Sequence, residues 1–167
     1  EHKVSLKTSK EVAKILKKLK IYFKVLTVNP VTFNFDISKF TRDYICFNAL
    51  HGSFGEDGQI QKILKKKNFR FTHSNKNSSY NCFNKIKSKI IVNNFRISTP
   101  RYTVVKVKDI NKIYLNEIKK KFQKFVLKPV FSGSSYGLKI IKSHKDLKIL
   151  FNELLSFKKK FNGNEKF

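Results

Sequence analysis

The sequence predicts an α/β fold. Three observations carry this: stretches with apolar residues at helical spacing alternate with short apolar runs, one such run is apolar almost throughout, and glycines cluster just after expected strands.

Residues Ser5 to Lys20 place Leu6, Val12, Ile15, Leu16 and Leu19 three and four apart, the pattern of an amphipathic helix with a lysine face. Ile21 to Val28 reads as a strand ending in the Asn29-Pro30 turn. Asp43 to Leu50 reads as a parallel strand buried on both faces. It feeds a glycine loop, His51 to Gly58, and then a helix through about Lys67, followed by a short strand at Phe69 to Thr72. Asn84 to Asn93 is helical, with Ile86, Ile90 and Ile91 as its apolar face. Thr99-Pro100 breaks the chain, and Tyr102 to Val107 is rich in β-branched residues. A helix over Ile110 to Phe122 precedes a strand from Phe125 to Lys128 that stops at Pro129. A second glycine loop, Phe131 to Gly137, leads to a strand at Leu138 to Ile141, and His144 to Lys160 closes as a helix with Leu147, Leu150, Phe151, Leu154 and Leu155 on one face.

Composition bounds the function. The 167 residues are 40% hydrophobic, enough for one medium domain or two small ones and too apolar along their whole length for disorder. A net charge of +26 ordinarily points to nucleic acid or an anionic surface. Of the 37 basic residues, however, only Arg42, Arg70, Arg96 and Arg101 are Arg, and Ala occurs only at positions 13 and 49. Lys, Asn, Ile and Phe have AT-rich codons, so an AT-rich genome accounts for the profile, whereas sites selected for phosphate or base recognition tend to recruit the Arg fork. No stretch reaches the length of a membrane span and no apolar signal core opens the chain, so it reads as cytoplasmic with no membrane partner. Cys46 and Cys82 read as core thiols, and the four dispersed His offer no legible metal site. The chain opens at Glu1 without Met, which suggests a fragment.

Five of the six Gly lie in the two loops. In a chain this poor in glycine, such clustering marks positions where a Cβ is not tolerated, and ligands in open α/β sheets bind beyond strand C-termini. Tight turns would show the same residues. The first loop, His51-Gly52-Ser53-Phe54-Gly55-Glu56-Asp57-Gly58-Gln59-Ile60-Gln61, carries the only adjacent acidic pair at the start of a helix, where negative charge caps. It is not a dinucleotide fingerprint, since its glycines are three apart. The second, Lys128-Pro129-Val130-Phe131-Ser132-Gly133-Ser134-Ser135-Tyr136-Gly137, offers small hydroxyl residues beside a lysine, which suits a phosphate or a polar surface hairpin; no Gly-Lys-Ser/Thr of a Walker loop is present.

Taken together the loops resemble those of the D-alanine:D-alanine ligases of the ATP-grasp superfamily. Residues 51 to 61 match every fixed position of that family's His-Gly-x-x-Gly-Glu-Asp-Gly-x-apolar-Gln pattern, with Lys62 departing where a small residue is usual. Glu1-His2-Lys3-Val4-Ser5-Leu6 resembles its Glu-Arg-Glu-Val-Ser-Leu, Phe71-Thr72-His73-Ser74 its Tyr-Thr-Gly-Ser, and Phe83-Asn84-Lys85 its Met-Asp-Lys. Ser98-Thr99-Pro100 is similar to its Pro-Thr-Pro segment, Val126-Leu127-Lys128-Pro129 to its Val-Lys-Pro, and Ser132-Gly133-Ser134-Ser135-Tyr136-Gly137 to its Glu-Gly-Ser-Ser-x-Gly.

The resemblance implies a pre-ATP-grasp, Rossmann-like N-terminal domain over residues 1–73 and the central ATP-grasp subdomain over 74–167, truncated at both ends. It implies ATP-dependent joining of two D-alanines through an acyl phosphate, with Mg²⁺ ligands in a C-terminal domain absent from these residues and a homodimer for the intact enzyme. By motif match, Glu1 holds the ammonium of the first D-alanine, Val4 and His51 shape that pocket, and Ser134 links the mobile loop to Glu1. Lys85, Lys128, Gly133, Ser134 and Ser135 bind ATP phosphates. Ser132 stands at an acidic position of the family pattern, His73 and Asn75 at glycines and Asn84 at an aspartate. The second substrate, D-alanine or D-lactate, is not specified by these residues. A basic nucleic-acid-binding protein and a decayed remnant of a ligase are the competing readings. A specific nucleic-acid partner is not expected, and the fragment alone is expected to be inactive.

Overall fold

The structure, a computed structural model, describes residues 1–133, 135–160 and 167. They form two compact units, Glu1–Phe83 and Asn84–Phe167.

The first unit opens with α1 (His2–Lys18), followed by a short helix α2 (Phe33–Asp36) that runs into a 3₁₀ turn at Ile37–Lys39. Strand β1 (Ile45–Cys46), helix α3 (Gln59–Lys66) and strand β2 (Arg70–Phe71) come next, and α4 (Lys76–Phe83) ends the unit. β1 and β2 pair parallel, Ile45 opposite Arg70 and Cys46 opposite Phe71, so β1-α3-β2 is a parallel strand-helix-strand unit. The core lies under α3, whose Ile60 and Leu64 meet Phe33, Ile37, Phe54 and Phe69. Phe33 and Phe54 meet edge to face, with ring centroids 5.7 Å apart.

Several sequence expectations change here. The run at 43–50 is not a strand buried on both faces: its ladder is two residues long, and Ile45 and Phe47 are more than half exposed. Ile21 to Val28 forms no strand ladder; Leu26 and Val28 lean on the core while Tyr22 and Val25 face out. A strand exists only when a neighbour accepts its backbone bonds, and apolar patterning does not supply one. The α1 stripe is also less buried than its spacing implies, since Leu6, Ile15 and Leu19 are exposed and the buried residue of the helix is Ser5. Cys46 is half-buried, and burial raises its thiol pKa, but Cys82 on α4 is exposed and no core thiol.

The second unit begins with α5 (Lys85–Asn94), capped by the Asn84 side chain, which accepts from the Ile86 and Lys87 amides. A 3₁₀ turn at Val107–Asp109 leads to α6 (Lys112–Phe122), then strands β3 (Phe125–Leu127) and β4 (Lys139–Ile141), and α7 (His144–Lys160). β3 and β4 are antiparallel, with Phe125 opposite Ile141 and Leu127 opposite Lys139, so the second glycine loop joins a hairpin. Leu115 and Ile118 of α6, Leu147, Leu150 and Leu154 of α7, and Leu127 and Ile141 of the hairpin close one core with Val105 and Ile110. The apolar face expected for α5 is not buried, and Ile90 is exposed. The β-branched stretch contributes buried Val105 and Val107, and Val105 exchanges two backbone bonds with Phe167 at 2.9 and 2.8 Å.

Candidate functional site

In the first unit the site is the glycine loop pinned against the start of α1. Ser5 and Thr8 stand three residues apart on α1, hence on one face. Ser5 Oγ donates to the Glu1 carbonyl at 3.1 Å and accepts from the His51 N–H at 2.9 Å. Thr8 Oγ1 lies 2.9 Å from His51 Nε2. The loop turns on Gly52, whose φ is +80°, a conformation that costs an L side chain. A Cβ at Gly52 would fall 1.8 Å from Glu1 Oε2, so the Glu1 carboxylate occupies the space that glycine leaves open.

The acidic pair holds this loop shut from within. Glu56 Oε2 accepts from the Gly52 amide at 2.7 Å, and its Oε1 faces His51 Nδ1 at 3.6 Å. Asp57 accepts from the Phe54 and Gln59 amides at 3.0 and 3.1 Å. Asn48 and Gln61 both donate their amide groups to the Gly55 carbonyl, at 2.8 and 2.9 Å. Backbone groups that a tight loop would leave unpaired are thereby satisfied. Glu1 and His51 are thus brought together, while Val4 is about half exposed on α1. The sequence signal for Ser5 and Thr8 is slight, two hydroxyls at helical spacing behind Glu1.

His73, where the family pattern has glycine, packs against the Phe71 ring with its Nε2 buried and without a hydrogen-bond partner. Burial lowers its pKa, so the ring is held toward the neutral form.

In the second unit Lys85 opens α5 beside the hairpin loop. Its Nζ donates to the Ser132 carbonyl at 2.6 Å and its N–H to the Val130 carbonyl at 3.2 Å. Burial first, and the neighbouring Lys128 charge second, lower its pKa below the usual lysine range. No carboxylate contributes to that balance, so the two ammonium groups leave positive potential beside the loop, which suits an oxyanion. Ser132 Oγ donates to the Tyr136 carbonyl at 3.1 Å, and the Tyr136 N–H to the Gly133 carbonyl at 3.0 Å. Ser135 sits at φ +58° in the same turn, and Lys128 is exposed. Ser134 lies outside the described residues. Among the described residues no cluster of three or more His, Cys, Asp or Glu could hold a metal, and no helix is long and apolar enough to cross a membrane.

No family model matches the chain. Its sequence is 41% identical over 164 residues to the D-alanine–D-alanine ligase of Pelagibacter ubique, covering 93% of this chain and 52% of that one. It is 36% identical over 151 residues to the D-alanine–D-alanine ligase of Wolbachia pipientis from Culex pipiens, covering 87% of this chain and 44% of the relative. The backbone superposes on the crystal structure of the D-alanine–D-alanine ligase from Bacillus anthracis with a TM-score of 0.78 and 27% identity, covering 98% of this chain and 51% of that one. The same ligase complexed with ATP gives a TM-score of 0.75 at 26% identity, with 98% and 52% covered. The chain spans about half the length of the curated relatives it matches. By sequence and backbone alike, then, it matches the D-alanine–D-alanine ligases over about half of their length.

Proposed function

We propose that these residues form the part of a D-alanine–D-alanine ligase that grips the first D-alanine and the phosphates of ATP, in a protein that makes D-alanyl-D-alanine for peptidoglycan. The observation that carries the reading is the Glu1 carboxylate lying over Gly52, inside the loop that matches the family pattern throughout. A carboxylate lying over a backbone turn is a fitting receptor for the ammonium of a small amino acid. The pinned His51 ring, with Val4 of α1, would shape the wall beside it. Residues 1–73 would serve as the N-terminal ligase domain and 74–167 as the central ATP-grasp subdomain. Helix α4 packs on α3, so the compact division falls ten residues beyond that functional boundary.

ATP fits the second unit on the strength of two neighbouring lysines with no balancing carboxylate among the described residues. Lys85 and Lys128 would neutralise its phosphates, and Gly133, Ser134 and Ser135 would close over them. ATP supplies the phosphoryl group that activates the first D-alanine as an acyl phosphate, and the amine of the second D-alanine then displaces phosphate. The chain's own contribution is positional, because two small substrates and a charged phosphoryl group need alignment and neutralisation more than a protein nucleophile. The described residues hold no cluster of His, Cys, Asp or Glu that fits the Mg²⁺ the resemblance implies. Ligation therefore needs the half of the ligase that these residues do not span, in a cytoplasm that supplies ATP.

The test is a chimaera in which residues 1–167 replace the matching half of the Bacillus anthracis enzyme. D-Alanine-dependent phosphate release from ATP is expected, falling at least about tenfold in Glu1→Gln, Lys128→Ala and Ser134→Ala. Wild-type rates in Lys128→Ala and Ser134→Ala would overturn the residue assignments. Phosphate release by the 167-residue chain alone would overturn its dependence on the missing half.

A further inference from the structure

Both ring nitrogens of His51 face a committed partner. On one side is the Glu56 carboxylate, whose Oε1 is 3.6 Å from Nδ1 and whose other oxygen is already fixed by the Gly52 amide at 2.7 Å. A carboxylate only accepts, so a bare Nδ1 lone pair would meet it unfavourably, whereas Nδ1–H meets it well. With the proton on Nδ1, Nε2 is the bare nitrogen, and the group beside it at 2.9 Å is the Thr8 hydroxyl, which can donate. The tautomer is thus set from both sides, by a side chain of the loop itself and by one from α1.

We infer that Thr8 is a positioning residue of the substrate pocket: it donates to His51 Nε2, holds the imidazole in its Nδ1–H form, and thereby ties the loop backbone at Gly52 to the helix that presents Glu1. The tie is double, because Ser5 takes the His51 backbone N–H on the same helix face. Ser5 fixes where the loop backbone lies, and Thr8 fixes how the ring is turned. A consequence is that His51 offers substrate neither a free donor nor a free acceptor. It acts as a strut that keeps the Glu1 carboxylate over Gly52, and proton transfer to or from D-alanine is not its work. This rests on the reading of Glu1 as the D-alanine receptor, but the tautomer can be measured without any ligand.

The experiment is imidazole ¹⁵N–¹H correlation spectroscopy on the histidine-labelled 167-residue chain, with His51 assigned by His51→Gln. In the wild type the His51 proton is expected on Nδ1. In Thr8→Val, where the Glu56 carboxylate alone is left to favour Nδ1–H, the Nε2–H fraction is expected to rise, and in Thr8→Ser to fall back to the wild-type level. A wild-type ring protonated on Nε2, or a Thr8→Val ring unchanged from wild type, would overturn the inference. If Thr8→Val fails to fold, the wild-type tautomer and Thr8→Ser still decide it. D-Alanine titration followed at the Gly52 amide is then expected to show about tenfold weaker binding in Thr8→Val than in wild type or Thr8→Ser. Equal affinity in all three would refute the positioning role. Absence of any response to D-alanine at Gly52 would instead remove the receptor reading, leaving the tautomer result standing.

Discussion

Two glycines of the first loop, each replaced by alanine, should fail in different ways. Gly52 has φ +80° and Gly58, the N-cap of α3, φ +92°. An alanine in either place pays about 1–2 kcal/mol of left-handed strain, offset by about 0.4–1 kcal/mol from a less flexible unfolded chain. What the new Cβ meets then separates them. At Gly52 it falls 1.8 Å from Glu1 Oε2, the end of a flexible side chain that swings away, leaving a net loss of about 1 kcal/mol. At Gly58 it falls 2.6 Å from the Lys76 backbone carbonyl, so α4 itself must shift, adding about 1–3 kcal/mol of overpacking. The total for Gly58→Ala is about 2–4 kcal/mol, and for a unit of this size each kcal/mol lowers Tm by about 4–8 °C. Amide exchange at Leu64, buried in the first core, reads the unit directly, with Leu115 of the second core as an internal control. Gly52→Ala should keep most of its protection but lose the response to D-alanine, because Glu1 has been displaced. Protection at Leu64 that falls further in Gly52→Ala than in Gly58→Ala would refute the reasoning, since flexible and rigid obstacles would then be ranked in the wrong order.

Removing the buried cap of α5 in Asn84→Ala should cost about 1 kcal/mol in urea unfolding, whereas Asn84→Asp should cost little, since either side chain can accept from the Ile86 and Lys87 amides. Charged Lys85 disfavours the folded state, so stability rises as pH climbs from its lowered pKa toward the ordinary 10.5; Lys128→Met should move the Lys85 midpoint upward in an NMR titration of the labelled side chain. The Asp146 pKa is lowered by the Lys142 and Ser143 amides and the Ser143 hydroxyl, so its stabilisation is present above the ordinary 3.8 and lost as pH falls through the lower folded value. Wild type should therefore exceed Asp146→Ala in thermal stability at neutral pH, with the gap closing in acid. Leu64→Ala should destabilise the first unit by about 2–5 kcal/mol in the same exchange assay, the range for emptying a fully packed site.

The parts of the fold legible in the sequence were those set by a chain segment's own pattern. Helices α3, α6 and α7 follow their three-four apolar spacing, and Ile60, Leu64, Leu115, Leu147 and Leu150 are buried as that spacing requires. The parallel β1-β2 pair follows from a strand, a loop and a helix in sequence. Strand lengths were not legible, because a ladder depends on which backbone lies alongside; Ile21 to Val28 is largely apolar and forms none. At the site, the glycine spacing and the acidic pair marked the loop, because each is costly to place without a reason. Ser5 and Thr8 were silent, since hydroxyls on a helix ordinarily face water or bond back to the preceding turn. Ser5 does bond back to Glu1, and its second bond to His51 becomes visible only when the loop is folded over it.

The distribution of acidic groups explains why so basic a chain can still hold a discriminating site. With 11 acids against 37 bases, wholesale charge pairing is arithmetically out of reach. Asp36 and Glu153 pair with Lys39 and Lys139, but three other acids accept from the backbone: Glu56 from Gly52, Asp57 from Phe54 and Gln59, and Asp146 from Lys142 and Ser143. A carboxylate fixed by amide donors is held in one place, and placement is what a tautomer-setting neighbour such as Glu56 requires. Most surface lysines then act only through a diffuse field that salt screens within about 10 Å, giving general attraction for polyanions without recognition. Lys85 differs because partial burial and Lys128 make its charge costly until an anion arrives, so binding of a phosphate should raise its pKa back toward that of a free lysine. On the proposed function, recognition would thus come from the few charges that are held or strained, with the +26 total contributing mainly to encounter.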